Sequence, residues 1–282
     1  MSARPVAIAD AAPLPSLAAQ SIDQLGGPSS VLARQKQDHV ELDHLLRRLG
    51  EVLPVEQGKV LLDIYRLVFP HAFAEETVLW PVIRKVLPDG EALTLKVERE
   101  HQEINELVTR LEFMEAGEPE RQNVLDRVVG LLRQDVRDEE DTLLPRLQNK
   151  LPTSQLQLLG TAWELVRQIA PTRAHPIVSR RPPGNVVSAL PLSAIDRARD
   201  LVDSALNNGP EAAAPPLRTL NSALAMLAHG VERLPGMQLG EAPSTAAAKD
   251  RGLRWGAVVL VGVATILLLA RASASDESEE SG

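Results

Sequence analysis

The chain has 282 residues, enough for a full core and more than one domain, and 44% hydrophobic content with only 2% aromatics is a helical composition. It contains no cysteine, which excludes disulfides, iron–sulfur ligation and thiol nucleophiles and leaves nitrogen and oxygen donors to hold any metal. A formal net charge of −8 without an aromatic–basic cluster argues against nucleic acid as a partner.

Residues 1–28 are rich in Pro and Ala, lack the apolar core of a secretory signal and read as a flexible leader. Four long periodic segments follow. The first, 29–49, has Ser29 or Ser30 as a cap, an apolar stripe of Val31, Leu32, Leu42, Leu45 and Leu46, and a stop at Gly50. The second, 55–86, turns Leu61, Leu62, Ile64, Leu67 and Val68 inward, contains Pro70 and Pro81, and ends before the turn Pro88-Asp-Gly90. The third, 91–115, carries Val97, His101, Ile104, Val108 and Leu111, and Gly117 and Pro119 close it. The fourth, 120–147, carries Val124, Leu125, Val128, Leu131, Leu132, Leu143 and Leu144, and Pro152 opens a shorter fifth helix over 154–169. Short connections make neighbours antiparallel, so the expected fold is all-α, an up-down-up-down four-helix bundle over 29–170.

The second half is less informative. Residues 171–191 hold Pro171, Pro176, Pro182, Pro183 and Pro191 without helical periodicity and read as a stiff linker. Segments 192–207 and 217–234 read as a helical hairpin without assigned chemistry, followed by a loop to 252. The run 255–270 carries no charge and is flanked by Arg254 and Arg271. As a helix it covers about 24 Å of a hydrocarbon core of roughly 30 Å, a gap that snorkelling arginines narrow. A single transmembrane helix over 253–271 is therefore expected, with 272–282 as an acidic tail. Lys249, Arg251 and Arg254 before the span place the large N-terminal part in the cytoplasm, a tail-anchored membrane topology.

The segment His71-Ala-Phe-Ala-Glu75-Glu76 recurs 64 residues later as Asp135-Val-Arg-Asp-Glu139-Glu140, and each copy follows a helix with one histidine, His39 or His101. At about 100° per residue, positions i and i+4 share a face, so His71 with Glu75 and Asp135 with Glu139 form chelating pairs. Two pairs and two single histidines on facing helices suit two metal ions inside a bundle. Carboxylates and imidazoles in a Leu/Val-rich core are costly unless paired or metal-bound.

At these residues the chain resembles the hemerythrin-like HHE cation-binding family. The matching elements are Gln37-Asp38-His39, the His71 to Glu76 segment, Glu100-His101-Gln-Glu-Ile104, and Asp138-Glu139-Glu140 with Leu-Leu-Pro145. The resemblance implies a four-helix bundle around an oxygen-bridged di-iron centre, with Glu75 and Glu139 bridging and His39, His71 and His101 terminal. Ligand type alone also suits manganese or zinc. Two departures stand out: Asp135 occupies a place where the family has histidine, and Asn105 stands one turn after His101, where oxygen-carrying members have another. Glu106 and His44 lie about 140° around their helices from His101 and His39, off the ligand face. His175 and His229 have no partner at ligand spacing.

The candidate metal set is thus His39, His71, Glu75, His101, Asp135 and Glu139. Extra anionic oxygen donors favour a hard, higher-valent metal over reversible dioxygen carriage. The expected function is a membrane-anchored non-haem di-iron protein that binds or senses a small oxidant such as dioxygen, nitric oxide or peroxide, or handles iron. The alternatives are a di-iron oxidase or reductase acting on peroxide or nitric oxide, and a metal-free helical membrane adaptor.

Overall fold

The computed structural model describes residues 14–114, 118–246 and 249. Its described elements are helical: α1 (Val31–Glu51), α2 (Gln57–Ala74), α3 (Trp80–Val86), α4 (Gly90–Leu111), α5 (Pro119–Asp138), α6 (Leu144–Lys150), α7 (Thr153–Ile169), α8 (Gly184–Asn208) and α9 (Ala214–Glu232). A π turn, Glu75–Leu79, joins α2 to α3, and a second, Glu139–Leu143, joins α5 to α6. The two composite helices, with α1 and α4, form the four-helix bundle, in which α1 packs on α2 and α4 on α5.

Each bundle helix reads apolar, polar, apolar along its length, and this positions the site. One core cluster gathers Leu42, Leu46, Ile64, Phe69, Ile104, Val108, Val128 and Leu132. The other gathers Leu32, Ala74, Trp80, Ile83, Val97, Leu143 and Leu147. Between them, on every helix, fall His39, His71 with Glu75, His101, and Asp135 with Glu139. Burial of the two apolar layers, at about 25 cal/mol per Å² of apolar surface, carries the polar layer into the interior.

Two segments differ from expectation. The flexible leader is docked from residue 14 onward: Leu17 and Leu25 are fully buried in the second core cluster, and Lys36 Nζ donates to the carbonyls of Ala18 and Gln20. Residues 171–183 are no exposed linker. Thr172, Arg173, His175 and Ser179 are buried, because remote acceptors catch the segment's backbone N–H groups. Asp196 takes those of Thr172 and Arg173, Asn105 takes that of His175, and the Met237 carbonyl takes that of Ser179.

The first helix of the hairpin begins at Gly184, earlier than the expected 192, and tolerates Pro191 inside it. The carbonyl that Pro191 leaves without an N–H belongs to Val187, which is exposed. Gly184 meets a close approach: a Cβ there would lie 2.6 Å from the Leu239 carbonyl oxygen. Gly160 does the same for α7, whose Cβ would lie 2.0 Å from the Ser29 carbonyl at the start of α1.

The chain divides into units 1–241 and 242–282. Of the second, the described residues include a helical turn in which Ala246 N–H donates to Ala242 O at 2.9 Å. Among the described residues no helix is long and apolar enough to cross a membrane. The expected span 253–271 lies outside the described residues. The expectation of a transmembrane helix is corrected accordingly: the fold that is seen is an all-α, multi-helix bundle, and the membrane anchor, the tail-anchored location and the membrane as partner lose their structural support.

Candidate metal centre

The two π turns begin at Glu75 and Glu139, the two carboxylates shared by the duplicated motif. Each closes with an i→i+5 bond, Trp80 N–H to Glu75 O and Leu144 N–H to Glu139 O. Pro81 and Pro145 follow one residue later. A proline in an unbroken α-helix clashes with the carbonyl four residues back, and the wider π turn relieves that clash. The repeated proline six residues after each glutamate is thus the sequence mark of both turns.

Five of the six expected ligands converge in the buried layer. His39 Nε2 lies 3.2 Å from Glu139 Oε2, His71 Nε2 lies 3.2 Å from Glu75 Oε1, and His101 Nε2 lies 3.8 Å from Glu75 Oε2. His39, His71 and Glu139 form one group able to hold a metal ion, and Glu75, His101 and Glu139 form a second. In each group the ligand atoms lie within 4.8 Å of one another, and Glu139 belongs to both. Asp135 Oδ2 stands 3.4 Å from His101 Nε2, beside the second group and in neither. His44 is exposed, and Glu106 accepts from Gln102 Nε2, so neither joins the cluster.

Every imidazole is held from behind by a carboxylate. His39 Nδ1 pairs with Glu140 Oε1 at 2.9 Å, His71 Nδ1 with Asp38 Oδ2 at 3.0 Å, and His101 Nδ1 with Glu76 Oε1 at 3.0 Å. With the proton on Nδ1, each ring presents the lone pair of Nε2 to the cluster. The duplicated Glu-Glu pairs therefore have divided roles: the first glutamate points inward, and the second orients the histidine of a neighbouring helix. Aromatic walls complete the setting, Trp163 edge-on to His71 at 5.4 Å and Trp80 stacked over His101 at 6.5 Å.

The inner atoms are buried and unsatisfied. Both carboxylate oxygens of Glu75, Oε1 of Glu139, Oδ1 of Asp135 and Nε2 of His101 have no hydrogen-bond partner. Such groups cost about 1–3 kcal/mol each when left unpaired, more when charged. In the metal-free protein, protons stand in for cations. Burial alone would lower the His39 imidazole, but its bonds to Glu139 and Glu140 outweigh it and hold it up at about 9. His71 and His101 are likewise depressed by burial and raised well above the usual histidine range by Glu75 with Asp38 and by Asp135 with Glu76. Burial, then the neighbouring charges of Glu75 and Asp135, push Glu139 up to about 8. Glu75 moves the other way: burial raises it, and the His71 charge more than reverses that.

The sequence reading missed Asp38, Glu76 and Glu140 as orienting groups, and it missed a second polar node entirely. His175 is buried with Nδ1 at 2.9 Å from Glu232 Oε1 and Nε2 at 3.0 Å from Asp196 Oδ2, and His229 Nδ1 reaches Glu232 at 3.1 Å. Burial would lower His175, but Asp196 and Glu232 hold it up at about 10. Asn105 turns its amide to structural use: Nδ2 donates to His101 O and Oδ1 accepts from His175 N–H.

Fold and cluster together define a class, a hemerythrin-like helical bundle with a His/Glu centre suited to metal. Residues 29–147 match the family described as the hemerythrin HHE cation binding domain. An uncharacterized hemerythrin-like protein of Schizosaccharomyces pombe is 27% identical over 134 residues, 47% of this chain and 66% of the relative. A Nostoc sp. protein named DNA nickase is 27% identical over 133 residues, 47% of this chain and 37% of that protein. The chain therefore spans just under two thirds of the first relative's length and just over a third of the second's. No solved structure matches it.

Proposed function

We propose that this bundle is a non-haem di-iron protein that binds or senses a small oxidant of the dioxygen, nitric oxide or peroxide class. His39 and His71 would hold one metal ion, His101 with Asp135 beside it would hold the other, and Glu75 and Glu139 would serve both. The observation that carries this reading is the set of buried inner carboxylate oxygens and the His101 Nε2 without partners, surrounded by imidazoles already aimed by carboxylates. Hard carboxylate oxygens mixed with imidazoles suit iron, though the same donors take manganese or zinc. When bound, such a metal pair supplies Lewis acidity and electron exchange with a small oxidant.

The protein's own contribution is positional. Glu140, Asp38 and Glu76 fix the ring orientations, and the apolar layers on either side exclude bulk water. Asp135 and His71 are the most exposed members of the set, with 13% and 11% of their side chains accessible, one at each side of the centre. Elemental analysis of the purified full-length chain tests the proposal. Two irons per chain is the expected result, and a metal-free protein that fails to take up iron, manganese or zinc would overturn it. The metal-free membrane adaptor loses ground on both counts, since the described residues show a metal-capable cluster and no membrane helix.

A further inference from the structure

A cavity of about 30 Å³ lies between the first π turn, α4 and the 171–192 region, one wall inside residues 29–147 and the other beyond them. Glu76, Asn105, Arg180 and Ser188 line its polar side, and Phe73 and Leu192 are among its apolar walls. That volume has room for about two water-sized groups.

The lining specifies an occupant. Arg180 is 8% exposed, its Nη2 donates to the His175 carbonyl at 2.8 Å, and its Nε is buried without a partner. Arg173, on the same wall, also has a partnerless Nε, while its Nη2 is held by Asp200. The Arg180 backbone N–H is taken by Glu241 at 3.0 Å, but its guanidinium meets the Glu76 carboxylate only at 3.9 Å, beyond hydrogen-bond reach. A molecule seated here meets a guanidinium donor and a carboxylate acceptor together. Arg173 is already paired with Asp200 and Asp203, and His175 with Asp196 and Glu232, so Arg180 and Glu76 are the opposed charges left to a guest, and a neutral molecule two heavy atoms long, able both to accept and to donate, fits between them.

We propose that this cavity is a holding site for hydrogen peroxide, which accepts from Arg180 and donates to Glu76. Because Glu76 also takes the Nδ1 proton of His101, peroxide there shares a carboxylate with the centre and stands one side chain from it. The inference rests on the reading of the centre as oxidant-handling, and its test uses protein without metal so that the two stand or fall separately.

The full chain is stripped of metal with chelator, labelled with nitrogen-15 and titrated with hydrogen peroxide, with intact mass checked for methionine oxidation. No thiol is present to consume the probe. Saturable amide shifts are expected at Asn105, Arg180 and Ser188, reversed when peroxide is removed. Ser188→Met, which fills the cavity away from the metal ligands, abolishes them. Arg180→Lys keeps the charge, loses the fork, and weakens binding at least about five-fold, the loss of roughly one charged hydrogen bond. Absence of saturation in the wild-type chain, or equal saturation in both variants, means the cavity holds water only and overturns the proposal. Should Ser188→Met not fold, Arg180→Lys decides by the same criterion.

Discussion

Loading the metal-free protein with metal should release protons, and the structure says from where. His39 is held at about 9, His71 and His101 well above the usual histidine range, and Glu139 at about 8. At neutral pH His71 and His101 each carry a proton that metal must displace, and the neighbouring His39 and Glu139 hold at least one more between them, because a ligand nitrogen or oxygen cannot hold both proton and metal. Each proton to be displaced lowers apparent metal affinity by about ten-fold for every pH unit that the group's pKa lies above the medium. The raised imidazoles and the raised Glu139 carboxyl therefore weaken apparent affinity at pH 7 relative to their deprotonated forms. Affinity should rise steeply from pH 6 to 8. Zinc, which has no redox chemistry to complicate the measurement, is added to the metal-free chain in weak buffer with a pH indicator. About three to four protons per fully loaded chain is the expected count at pH 7. The complementary sign holds for stability: a raised imidazole stabilises the metal-free fold fully below about 6.5, and that contribution is lost as pH rises through about 9 for His39. Release of less than one proton, with affinity flat from pH 6 to 8, would refute the account of imidazolium ions balancing buried carboxylates.

The bridging assignment predicts that Glu75→Ala and Glu139→Ala each lose both metals, while Asp135→Ala depletes the His101 position more than the other; iron stoichiometry across the three measures this, and full occupancy in both glutamate variants would sink the two-metal reading. Substituting the orienting carboxylates, Asp38→Asn, Glu76→Gln and Glu140→Gln, should each cost about 10–100-fold in metal affinity by competition with a chelator, with helix content unchanged. Glu232→Gln should destabilise the fold by about 3–5 kcal/mol in denaturant unfolding, since it leaves buried His175 short of a partner. Burial raises Glu232, but His175 and His229 pull it down to about 2, while His175 itself is held at about 10. The carboxylate's contribution is present above about 4.5 and lost toward pH 2, and the imidazole's is present below about 6.5 and lost as pH rises through 10. A variant whose pH–stability curve matches the wild type's would show the node to be inert.

The ligand layer was legible because helical spacing is local information. His71 and Glu75 share a face by geometry alone, and so do Asp135 and Glu139. The orienting carboxylates were not legible from the same rule. Glu76 and Glu140 follow the inward glutamates by about 100°, off the ligand face, and their partners His101 and His39 lie on other helices. The 171–183 segment shows the same limit: its prolines signal an extended chain, and only acceptors far along the sequence, Asp196 and Asn105, decide that it is buried. For the C-terminal run, the case for a span was an uncharged stretch of about 24 Å flanked by arginines that could snorkel, and among the described residues no helix is long and apolar enough to cross a membrane.

The duplication is structural as well as sequential, and its one broken position is informative. In the first copy Asp38, just before His39, accepts from His71 Nδ1. The counterpart in the second copy is Glu100, just before His101, facing Asp135. Two carboxylates cannot make that bond, and Glu100 Oε2 is buried with no partner. Burial, followed by the Asp135 charge, raises the Glu100 carboxyl as a result. An aspartate at 135 thus offers no ring nitrogen to the layer and leaves Glu100 without a donor to hold. Asp135→His should reverse both at once. The imidazole would donate from Nδ1 to Glu100 as His71 does to Asp38, and the second metal position should bind more tightly by about the 10–100-fold that an orienting carboxylate confers. The double variant Asp135→His with Glu100→Gln is the control. If it binds metal as tightly as Asp135→His alone, Glu100 has no orienting role and the two halves of the bundle are less alike than their ligand patterns suggest.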